Sequence, residues 1–330
     1  MQSKKRMKAI ELSAYCGIEC LKIVDVEKPS PGANEILLEV KAAGINFAEM
    51  ELTKGRYKTP KNPPFIMGFE ASGVVAEVGS RVKSPKPGDK ITTIVSSGGY
   101  AEYATADANL AIPIPGALSF AEATTIPIQG ISAYTLLKLA AKPQPTESVL
   151  IQAAAGGVGL YLVQLAKSMG VGKVIGLAST KEKLDLIRSL GADIAIDYGD
   201  KHWTDRVCEA TNGNGVDVVL EAASGDVGEE CFNLIAPFGR MVVFGARNIH
   251  DSLSPEKMQQ LIYRNQTVIG FNFPSLQPEQ IEASVPDLLN LISQGKIRPF
   301  ANNSYPLADV KTAFRALASR ETIGKIVLIP

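Results

Sequence analysis

Short runs of apolar and β-branched residues, separated by turn residues, fill the first third of the chain. Pro-Gly, Gly-Asp and Gly-Gly pairs punctuate these runs, as in PSPGANE at residues 29–35, and such pairs favour turns between strands. The pattern over residues 7–115 therefore predicts a compact all-β or barrel-like domain. The individual strands are predicted at residues 36–40, 73–78, 89–95 and 100–105.

The pattern changes after Ser119, where short apolar runs begin to alternate with stretches of helical periodicity. SVLIQA (148–153) and KVIGLA (173–178) predict buried strands, and a helix is predicted after each, over residues 157–170 and 181–191. Such repeated βα units predict an α/β fold with a doubly wound parallel sheet and right-handed crossovers. Further strands are predicted for DIAIDY, VDVVLEA, RMVVFG and residues 325–329, and further helices near residues 203–210, 226–235, 255–264, 278–293 and 308–319.

A glycine-rich turn, AAAGGVG at residues 153–159, lies between the first predicted strand and helix of this second part. That context is the one in which a dinucleotide-binding fingerprint occurs. Gly156 and Gly157 would let the backbone approach a pyrophosphate, and Gly159, after Val158, would let the helix pack closely on the strand. Ala154 stands where the fingerprint has its first glycine. The alternative is a tight strand-to-helix turn that binds no ligand.

The end of the second strand of this part bears on the choice between NADH and NADPH. Sites specific for NADH carry Asp or Glu there, about 20 residues after the glycines, to bind the ribose 2′-hydroxyl. Here Ser179 and Thr180 follow Ala178 without an acid, and Lys181 and Lys183 come next. A hydroxyl beside an ammonium suits a 2′-phosphate, so we predict NADPH. Ordinary surface lysines at a helix start are the alternative.

Composition and charge narrow the class of function. At about 150 residues per domain, a chain of 330 residues is expected to form about two domains. Its 34 Lys and Arg residues balance 34 Asp and Glu residues, so the net charge disfavours nucleic-acid binding. A hydrophobic share of 45% is typical of a folded domain and too high for a disordered chain.

Further classes of protein and site are disfavoured by the histidines, the cysteines and one uncharged segment. With two histidines, His202 and His250, most histidine-based metal sites and catalytic triads are disfavoured. Four cysteines in a chain of this length do not indicate a disulfide scaffold. The uncharged stretch 148–166 nearly reaches the length of a membrane span, but Gln152, Gln164 and its glycines favour a buried strand, turn and helix. No apolar leader is recognised, so we expect a cytoplasmic protein without a membrane span.

Several segments together resemble the zinc-free quinone oxidoreductase (zeta-crystallin-like) branch of the medium-chain dehydrogenase/reductase superfamily. The resemblance implies a GroES-like β-barrel catalytic domain over residues 1–125, completed by about 300–330, and a Rossmann NADPH-binding domain over residues 126–299. It also implies a homodimer, the commonest soluble assembly. The segments are AAGINFAE (42–49), KGRY (54–57), GFEASGVVAEVG (68–79), KPGD (86–89), GGYAEY (98–103), AAAGGVG (153–159) and GKIVLIP (324–330).

Two positions in these segments bear on zinc. Zinc-dependent relatives carry a cysteine after the Gly-Ile pair and a histidine in the Gly-x-Glu motif, where this chain has Asn46 and Phe69. Their cysteine-rich structural loop is also missing, because no cysteine lies between Cys20 and Cys208. Neither metal site is therefore expected. Alcohol oxidation is disfavoured without a Lewis acid, whereas quinones and conjugated enones are already electrophilic.

The resemblance also implies roles for residues of the catalytic site. Asn46 corresponds to an asparagine at the junction of nicotinamide and substrate in the family, although it could instead tie a turn at a strand end. Tyr57 corresponds to a pocket tyrosine whose hydroxyl could donate to a developing oxyanion, with simple packing as the alternative. Met50 stands where some relatives have a second tyrosine.

Cofactor contacts are implied in the same way. Ser132 could instead cap a helix start, and Arg320 could instead be a solvated cation at a helix end. The residues implied are Gln129 and Ser132 near the nicotinamide, Gly156, Gly157, Val158 and Gly159 at the pyrophosphate, Ser179 and Lys183 at the 2′-phosphate, Tyr198 at the adenosine, Arg320 at the phosphates, and Phe244, Gly245 and Phe271 at the carboxyl ends of strands.

Three functional hypotheses follow. The first is an NADPH-dependent oxidoreductase that transfers hydride, or single electrons, to quinones without zinc. The second is an enone- or enoyl-type or vesicle-protein-like reductase, suggested by GFNFPSLQPEQ at residues 270–280 and by residues 294–299. The third is a non-catalytic NADPH-binding protein. For the two enzymes, the expected partner is a small-molecule quinone or unsaturated carbonyl.

Overall fold

The computed structural model describes residues 5–57, 61–245 and 254–330. It divides into two compact units. Unit 1 comprises Met1–Ile128 with Pro299–Pro330, and unit 2 comprises Gln129–Arg298. His250, one of the two histidines, lies outside the described residues. Within the described residues, no helix is both long and apolar enough to cross a membrane.

The N-terminal part of unit 1 is rich in strands, as the turn pattern predicts. Two strands before residue 30 were not predicted, and a short helix follows the third strand. The elements are β1 (Arg6–Leu12), β2 (Leu21–Glu27), β3 (Glu35–Ile45), α1 (Phe47–Thr53), β4 (Phe65–Ile66), β5 (Glu70–Val78), β6 (Lys90–Ile94), β7 (Tyr103–Asp107), β8 (Ile112–Pro113) and α2 (Phe120–Ala123).

Unit 2 alternates strands and helices. Its central strands are short and mostly buried, as expected for a parallel sheet covered on both faces. The elements are α3 (Ile131–Thr135), β9 (Ser148–Ile151), α4 (Gly157–Ser168), β10 (Lys173–Ala178), α5 (Lys181–Ser189), β11 (Ile194–Asp197), α6 (Trp203–Ala210), β12 (Val216–Glu221), α7 (Gly225–Asn233), β13 (Ile235–Val243), α8 (Pro255–Arg264), β14 (Thr267–Gly270) and α9 (Pro278–Ser293).

The last segment of the chain returns to unit 1 as β15 (Asn303–Pro306), α10 (Val310–Ser319) and β16 (Ile326–Ile329). β16 pairs antiparallel with β3, so the end of the chain lies beside the strand that leads into α1. β3 is also paired with β5 and β7. A smaller sheet in the order β2-β1-β4 completes the unit, and one hydrophobic core contains residues from both sheets and from α10.

In the described part of unit 2, the strands form one sheet in the order β11-β10-β9-β12-β13-β14. All of its pairs are parallel. The order reverses at β9, which is the doubly wound arrangement in which ligands bind outside the carboxyl ends of the strands. The predicted α/β fold class, with a doubly wound sheet in one unit and a β-rich second unit, is confirmed.

Three local features differ from the sequence-based expectation. The helix predicted around residues 226–235 ends at Asn233, and Ile235 instead begins β13, where it pairs with Val216. Residues 126–130 and 136–141 form π-helical turns on either side of α3. Cys16 and Cys20 form a disulfide, a pairing that the sequence analysis does not predict.

Candidate functional site

The glycine-rich turn joins β9 to α4 as predicted. Gly156 is the N-cap of α4 in an extended conformation, and Ala153, two residues after β9, adopts a left-handed backbone with φ of 47°. A Cβ on Gly159 would lie 2.2 Å from the carbonyl oxygen of Ala153 and 2.8 Å from the backbone of Ala154. Gly159 is therefore required by the turn itself, the close-packing role expected of the last glycine in the fingerprint.

Gly157 serves a different purpose. A Cβ there would lie 2.1 Å from Nε2 and 2.3 Å from Oε1 of Gln129, so the Gln129 carboxamide occupies the space of the missing side chain. Gln129 is only 7% exposed. Among the described residues its Oε1 has no hydrogen-bond partner. The structure thus brings together two predicted cofactor residues that are 28 positions apart.

The face beside Gly156 is open. A Cβ on Gly156 would meet only atoms of Ala153, with the carbonyl oxygen at 3.1 Å. The first-turn N–H groups of α4 have no acceptor within the helix, and the helix dipole favours negative charge at this end. An open glycine face, a free helix N-terminus and an orphaned buried carboxamide fit a dinucleotide diphosphate.

Three further predicted cofactor residues lie around the carboxyl end of β10. Ser179 directly follows the strand, and Thr180 caps α5 by accepting a hydrogen bond from the Lys183 N–H at 3.3 Å. Tyr198 follows β11, and its N–H donates to the carbonyl of Ala178 at 3.2 Å. Lys183 is only 6% exposed, which argues against an ordinary surface lysine.

Lys181 is the contrasting case. Its side chain is 90% exposed and pairs with Asp185, one turn along α5. The surface-lysine alternative therefore describes Lys181 but not Lys183. A lysine that is already restricted by burial suits a 2′-phosphate better than a solvated one, because less side-chain freedom is lost on binding.

A polar network that the sequence analysis missed orders the next strand end of the sheet. Gln152 Oε1 accepts hydrogen bonds from the N–H groups of Ala222 and Ala223, at 3.1 and 3.0 Å. Glu221 Oε1 accepts from Ala223 at 3.1 Å and from Ser224 at 2.7 Å, and Ser224 has a left-handed φ of 53°. The available signal was Glu221, which directly follows the apolar residues 218–220, because a buried carboxylate requires hydrogen-bond donors.

The predicted strand-end residues flank this network. A Cβ on Gly245 would lie 2.5 Å from the carbonyl oxygen of Ala222, so Phe244 and Gly245 leave β13 directly against the end of β12. The N–H of Phe271 donates to the carbonyl of Val243 at 2.9 Å. Phe244, Gly245 and Phe271 therefore lie at the same carboxyl edge of the sheet as the glycine turn.

In unit 1, Asn46 is the N-cap of α1 and takes part in a polar cluster. Its backbone N–H donates to Glu49 Oε2 at 2.8 Å. Its side-chain Nδ2 donates to Glu70 Oε1 at 2.7 Å, and its Oδ1 accepts from Lys325 Nζ at 2.6 Å. Lys325 also pairs with Glu70. The expected alternative, a residue that ties the turn after a strand, thus describes part of what Asn46 does.

The strands of unit 1 explain how this cluster assembles. Glu70 begins β5 and Lys325 directly precedes β16, and both strands pair with β3 next to Gly44. A Cβ on Gly44 would lie 2.4 Å from Lys325 Cε and 2.6 Å from Glu70 Oε1. The ion pair lies across the bare backbone of β3, and both of its side chains are fully buried.

Glu49 is the second acid of the cluster and is fully buried. Burial raises the pKa of Glu49 to about 7, against the backbone N–H of Asn46, the Tyr100 hydroxyl and the Lys325 charge, which lower it. Near neutral pH the cluster therefore gains or loses a proton at Glu49. A buried acid with a pKa in this range is a common feature of functional sites.

The sequence analysis singles out three further residues of unit 1: Tyr57, Arg320 and Phe69. Tyr57 is half-buried and packs against the hydrophobic core, and burial raises the pKa of Tyr57, so its hydroxyl stays protonated at neutral pH and can donate a hydrogen bond. Arg320 is exposed at the C-cap of α10, with a left-handed φ of 59°, as the helix-end alternative expects. Phe69 packs against the core of unit 1.

In unit 2, the alternative reading of Ser132 is wrong. Ser132 is the second residue of α3, which continues from a π-helical turn, and α3 has no side-chain cap.

Among the described residues, no group of three His, Cys, Asp or Glu side chains is arranged to hold a metal ion.

Comparisons with known proteins agree with this architecture. Residues 157–294 match the zinc-binding dehydrogenase family, and residues 32–116 match the alcohol dehydrogenase GroES-like domain. Quinone oxidoreductase 1 of Escherichia coli (strain K12) is 34% identical over 329 residues, which are 97% of this chain and 99% of that protein. The synaptic vesicle membrane protein VAT-1 homolog of Danio rerio is 31% identical, over 97% of this chain and 69% of that protein.

Among solved structures, Escherichia coli quinone oxidoreductase complexed with NADPH is similar over the whole chain. The TM-score is 0.89 at 32% sequence identity, and the match covers 98% of this chain and 100% of that one.

Proposed function

Because the chain belongs to the zinc-free quinone oxidoreductase branch of the medium-chain dehydrogenase/reductase superfamily, we propose that it is an NADPH-dependent reductase of quinones that works without zinc. The observation that carries this proposal is the turn at Gly156. There, an open backbone cradle at a helix N-terminus lies beside the buried carboxamide of Gln129.

The cofactor assignment rests on residues of unit 2. The N-terminus of α4 would hold the diphosphate, and Ser179 with the buried Lys183 would hold the 2′-phosphate. NADPH, when bound, supplies the reducing equivalents. The similarity to an Escherichia coli enzyme complexed with NADPH supports the same choice.

The acceptor chemistry rests on residues of unit 1. Asn46 and Phe69 stand where zinc-dependent relatives have metal ligands, so we propose that the acceptor is electrophilic without a Lewis acid. The raised pKa of Tyr57 keeps its hydroxyl protonated, and a protonated hydroxyl can donate to negative charge that develops on an acceptor oxygen. Quinones meet both conditions.

The first test measures binding. Titration of the protein with NADPH and with NADH is expected to show tighter binding of NADPH. Lys183→Met should weaken NADPH about tenfold or more, the cost of one charge-assisted hydrogen bond, and leave NADH unchanged. The matched control is Lys181→Met, on the same helix but exposed, which should change neither. Equal affinity of the wild type for both cofactors would refute the 2′-phosphate assignment.

The second test measures turnover. NADPH oxidation with 1,4-benzoquinone as acceptor is expected, at the same rate with and without a chelator. Loss of activity in the chelator would contradict the zinc-free proposal. Binding of NADPH without turnover of any acceptor would favour the non-catalytic alternative instead.

A second candidate function is reduction of enones or enoyl compounds. The observation that favours it is the similarity to the solved structure of CurK enoyl reductase, with a TM-score of 0.86 at 28% sequence identity over 98% of this chain and 99% of that one. One hydroxyl donor, Tyr57, would suffice for a single carbonyl. A panel of 1,4-benzoquinone, an enal, an enone and an enoyl thioester separates the two functions by kcat/KM.

We further propose a cytoplasmic homodimer. Sedimentation velocity at several protein concentrations tests the assembly, and cell fractionation tests the location. A monomer at all concentrations would contradict the first proposal.

A further inference from the structure

The polar cluster of unit 1 raises the question of which end of the Asn46 carboxamide is left for a bound molecule. We propose that Glu70 and Lys325 are positioning residues that hold this carboxamide in one orientation, with its oxygen rather than its nitrogen available. The orientation is a property of the free protein, and the role in catalysis rests on the proposed function.

The two charged neighbours distinguish the two ends of the carboxamide. Asn46 Oδ1 faces the Lys325 ammonium at 2.6 Å, and Nδ2 faces the Glu70 carboxylate at 2.7 Å. Rotating the group by half a turn would place the nitrogen against the ammonium and the oxygen against the carboxylate. Two charge-assisted hydrogen bonds would be replaced by two repulsive contacts. Only one orientation is therefore compatible with this cluster.

The hydrogen-bonding capacity that remains lies on the oxygen. The nitrogen has two hydrogens, of which one bonds to Glu70 and the other points towards Glu49 Oε2 at 3.4 Å. The oxygen has two lone pairs, of which Lys325 uses one. The capping box of α1 brings the Glu49 N–H next to the Asn46 side chain, but this N–H forms no side-chain cap hydrogen bond. A bound molecule therefore meets an acceptor at Asn46.

Asn46 is the least buried of the four side chains in this cluster. Glu49, Glu70 and Lys325 are 0% exposed, whereas Asn46 is half-buried. The free lone pair is thus on the member of the cluster that reaches the surface of unit 1.

An acceptor selects the chemistry of its partner. It binds an N–H or O–H group, such as a primary carboxamide or a hydroxyl, and it cannot donate to the carbonyl oxygen of a quinone. Oxyanion stabilisation in the proposed reaction is then left to the Tyr57 hydroxyl. The sequence-based interpretation allowed Asn46 to bond either the cofactor or an acceptor carbonyl, and the cluster favours the first.

The cluster is also held rigidly. Lys325 and Glu70 lie in the space that a Cβ on Gly44 would occupy, and both side chains are fully buried. Glu70 Oε2 accepts the N–H of Ile128 at 3.3 Å, which fixes the carboxylate from its other side. Fixed groups of this kind preorganise a site, because their orientation is settled before a ligand binds.

The decisive experiment exchanges the two functional groups. Asn46→Asp keeps an oxygen acceptor but places a second oxygen against Glu70 and Glu49. It is expected to lower kcat/KM for NADPH oxidation with 1,4-benzoquinone by about 10- to 100-fold. Adding Glu70→Gln restores the number of charges and supplies an amide donor. The double variant is expected to recover to within about fivefold of the wild type.

If the Asn46 nitrogen rather than its oxygen bound the ligand, the double variant would not recover. If the nitrogen of Asn46 were the functional group, no variant with aspartate at this position could have it, and the double variant would stay as low as Asn46→Asp. Recovery supports the proposal, and failure to recover in a folded double variant overturns it. Lys54→Met is the control, because Lys54 pairs with Glu51 near the end of α1 and should leave kcat/KM unchanged.

A second measurement needs neither turnover nor cofactor. In protein labelled with ¹⁵N-asparagine, the side-chain NH₂ signals of Asn46, assigned by their loss in Asn46→Leu, should be shifted downfield by the carboxylate bond. They should move towards free-amide positions when Lys325→Met and Glu70→Gln are combined, a change that removes both buried charges together. Unshifted signals in the wild type would overturn the proposed orientation. If the wild type reduced no acceptor, the proposed function would fail while this measurement still decided the orientation.

Discussion

Glu49 offers a sharp test of the electrostatics in unit 1, because its carboxyl is fully buried beside a second acid, Glu70, and a single ammonium, Lys325. The perturbation is Glu49→Gln. A glutamine can keep the hydrogen bond from the Asn46 backbone through Oε1, and it cannot ionise. The variant therefore removes the titration while it preserves the shape of the group.

The size of the expected effect on the free energy of unfolding follows from the pKa shift of Glu49. Burial raises the pKa of Glu49 from 4.5 to about 7, and one pKa unit corresponds to about 1.4 kcal/mol. Ionisation of Glu49 in the folded state therefore costs about 3 kcal/mol of stability. Between pH 4.5 and pH 7 the folded state keeps a proton that the unfolded state has released, so this contribution to stability falls as pH rises through that window. Below pH 4.5 it has no effect, and above pH 7 the full cost is present.

The assay is guanidinium unfolding, followed by circular dichroism, of the wild type and Glu49→Gln at several pH values from 4.5 to 8. The free energy of unfolding of the variant minus that of the wild type should grow by about 3 kcal/mol across this range. Glu122→Gln is the matched control, because Glu122 occupies the same capping-box position in α2 but is half-exposed. Curves for the wild type and Glu49→Gln that run parallel over the whole range would refute the reasoning.

Three further outcomes are expected. Gly157→Ala should displace the Gln129 carboxamide, which would lie 2.1 Å from the new Cβ, and calorimetric titration should show weaker binding of NADPH with little loss of stability. Gly159→Ala should instead lower the free energy of unfolding by about 1–3 kcal/mol, measured by denaturant titration, because its Cβ would meet the Ala153 carbonyl at 2.2 Å. In thiol labelling of the native protein, Cys208, which is exposed and free, should react first, and reduction should release two additional thiols from the disulfide.

The glycine turn shows what the sequence alone can reveal. The role of Gly159 follows from local spacing, because the residues that it must clear, Ala153 and Ala154, lie within the same short turn. The role of Gly157 does not follow from local spacing. The side chain that fills the space beside Gly157 belongs to Gln129, which lies outside this βα unit. A motif therefore predicts the contacts within its own turn. Its contacts with other parts of the chain depend on which distant segment packs against it.

Prediction of the secondary structure from sequence is limited in the same way. Strands and helices with strong periodicity were predicted close to their observed positions, since burial on one face imposes the period. The helix predicted around residues 226–235 includes Ile235, yet parallel pairing with Val216 places this residue in β13. Tertiary pairing of this kind overrides local preference.

The cluster around Asn46 is the clearest case of information that no local pattern contains. Asn46, Glu70 and Lys325 each belong to a segment that carried the family resemblance, but their mutual contacts join positions up to 279 residues apart. Those contacts exist because β5 and β16 both pair with β3 at Gly44, the one residue there without a side chain. Since the same two contacts decide which end of the Asn46 carboxamide is free, the chemistry that this residue offers follows from strand register rather than from the residue itself. A substitution at Gly44 should therefore alter the site as much as a substitution at Asn46.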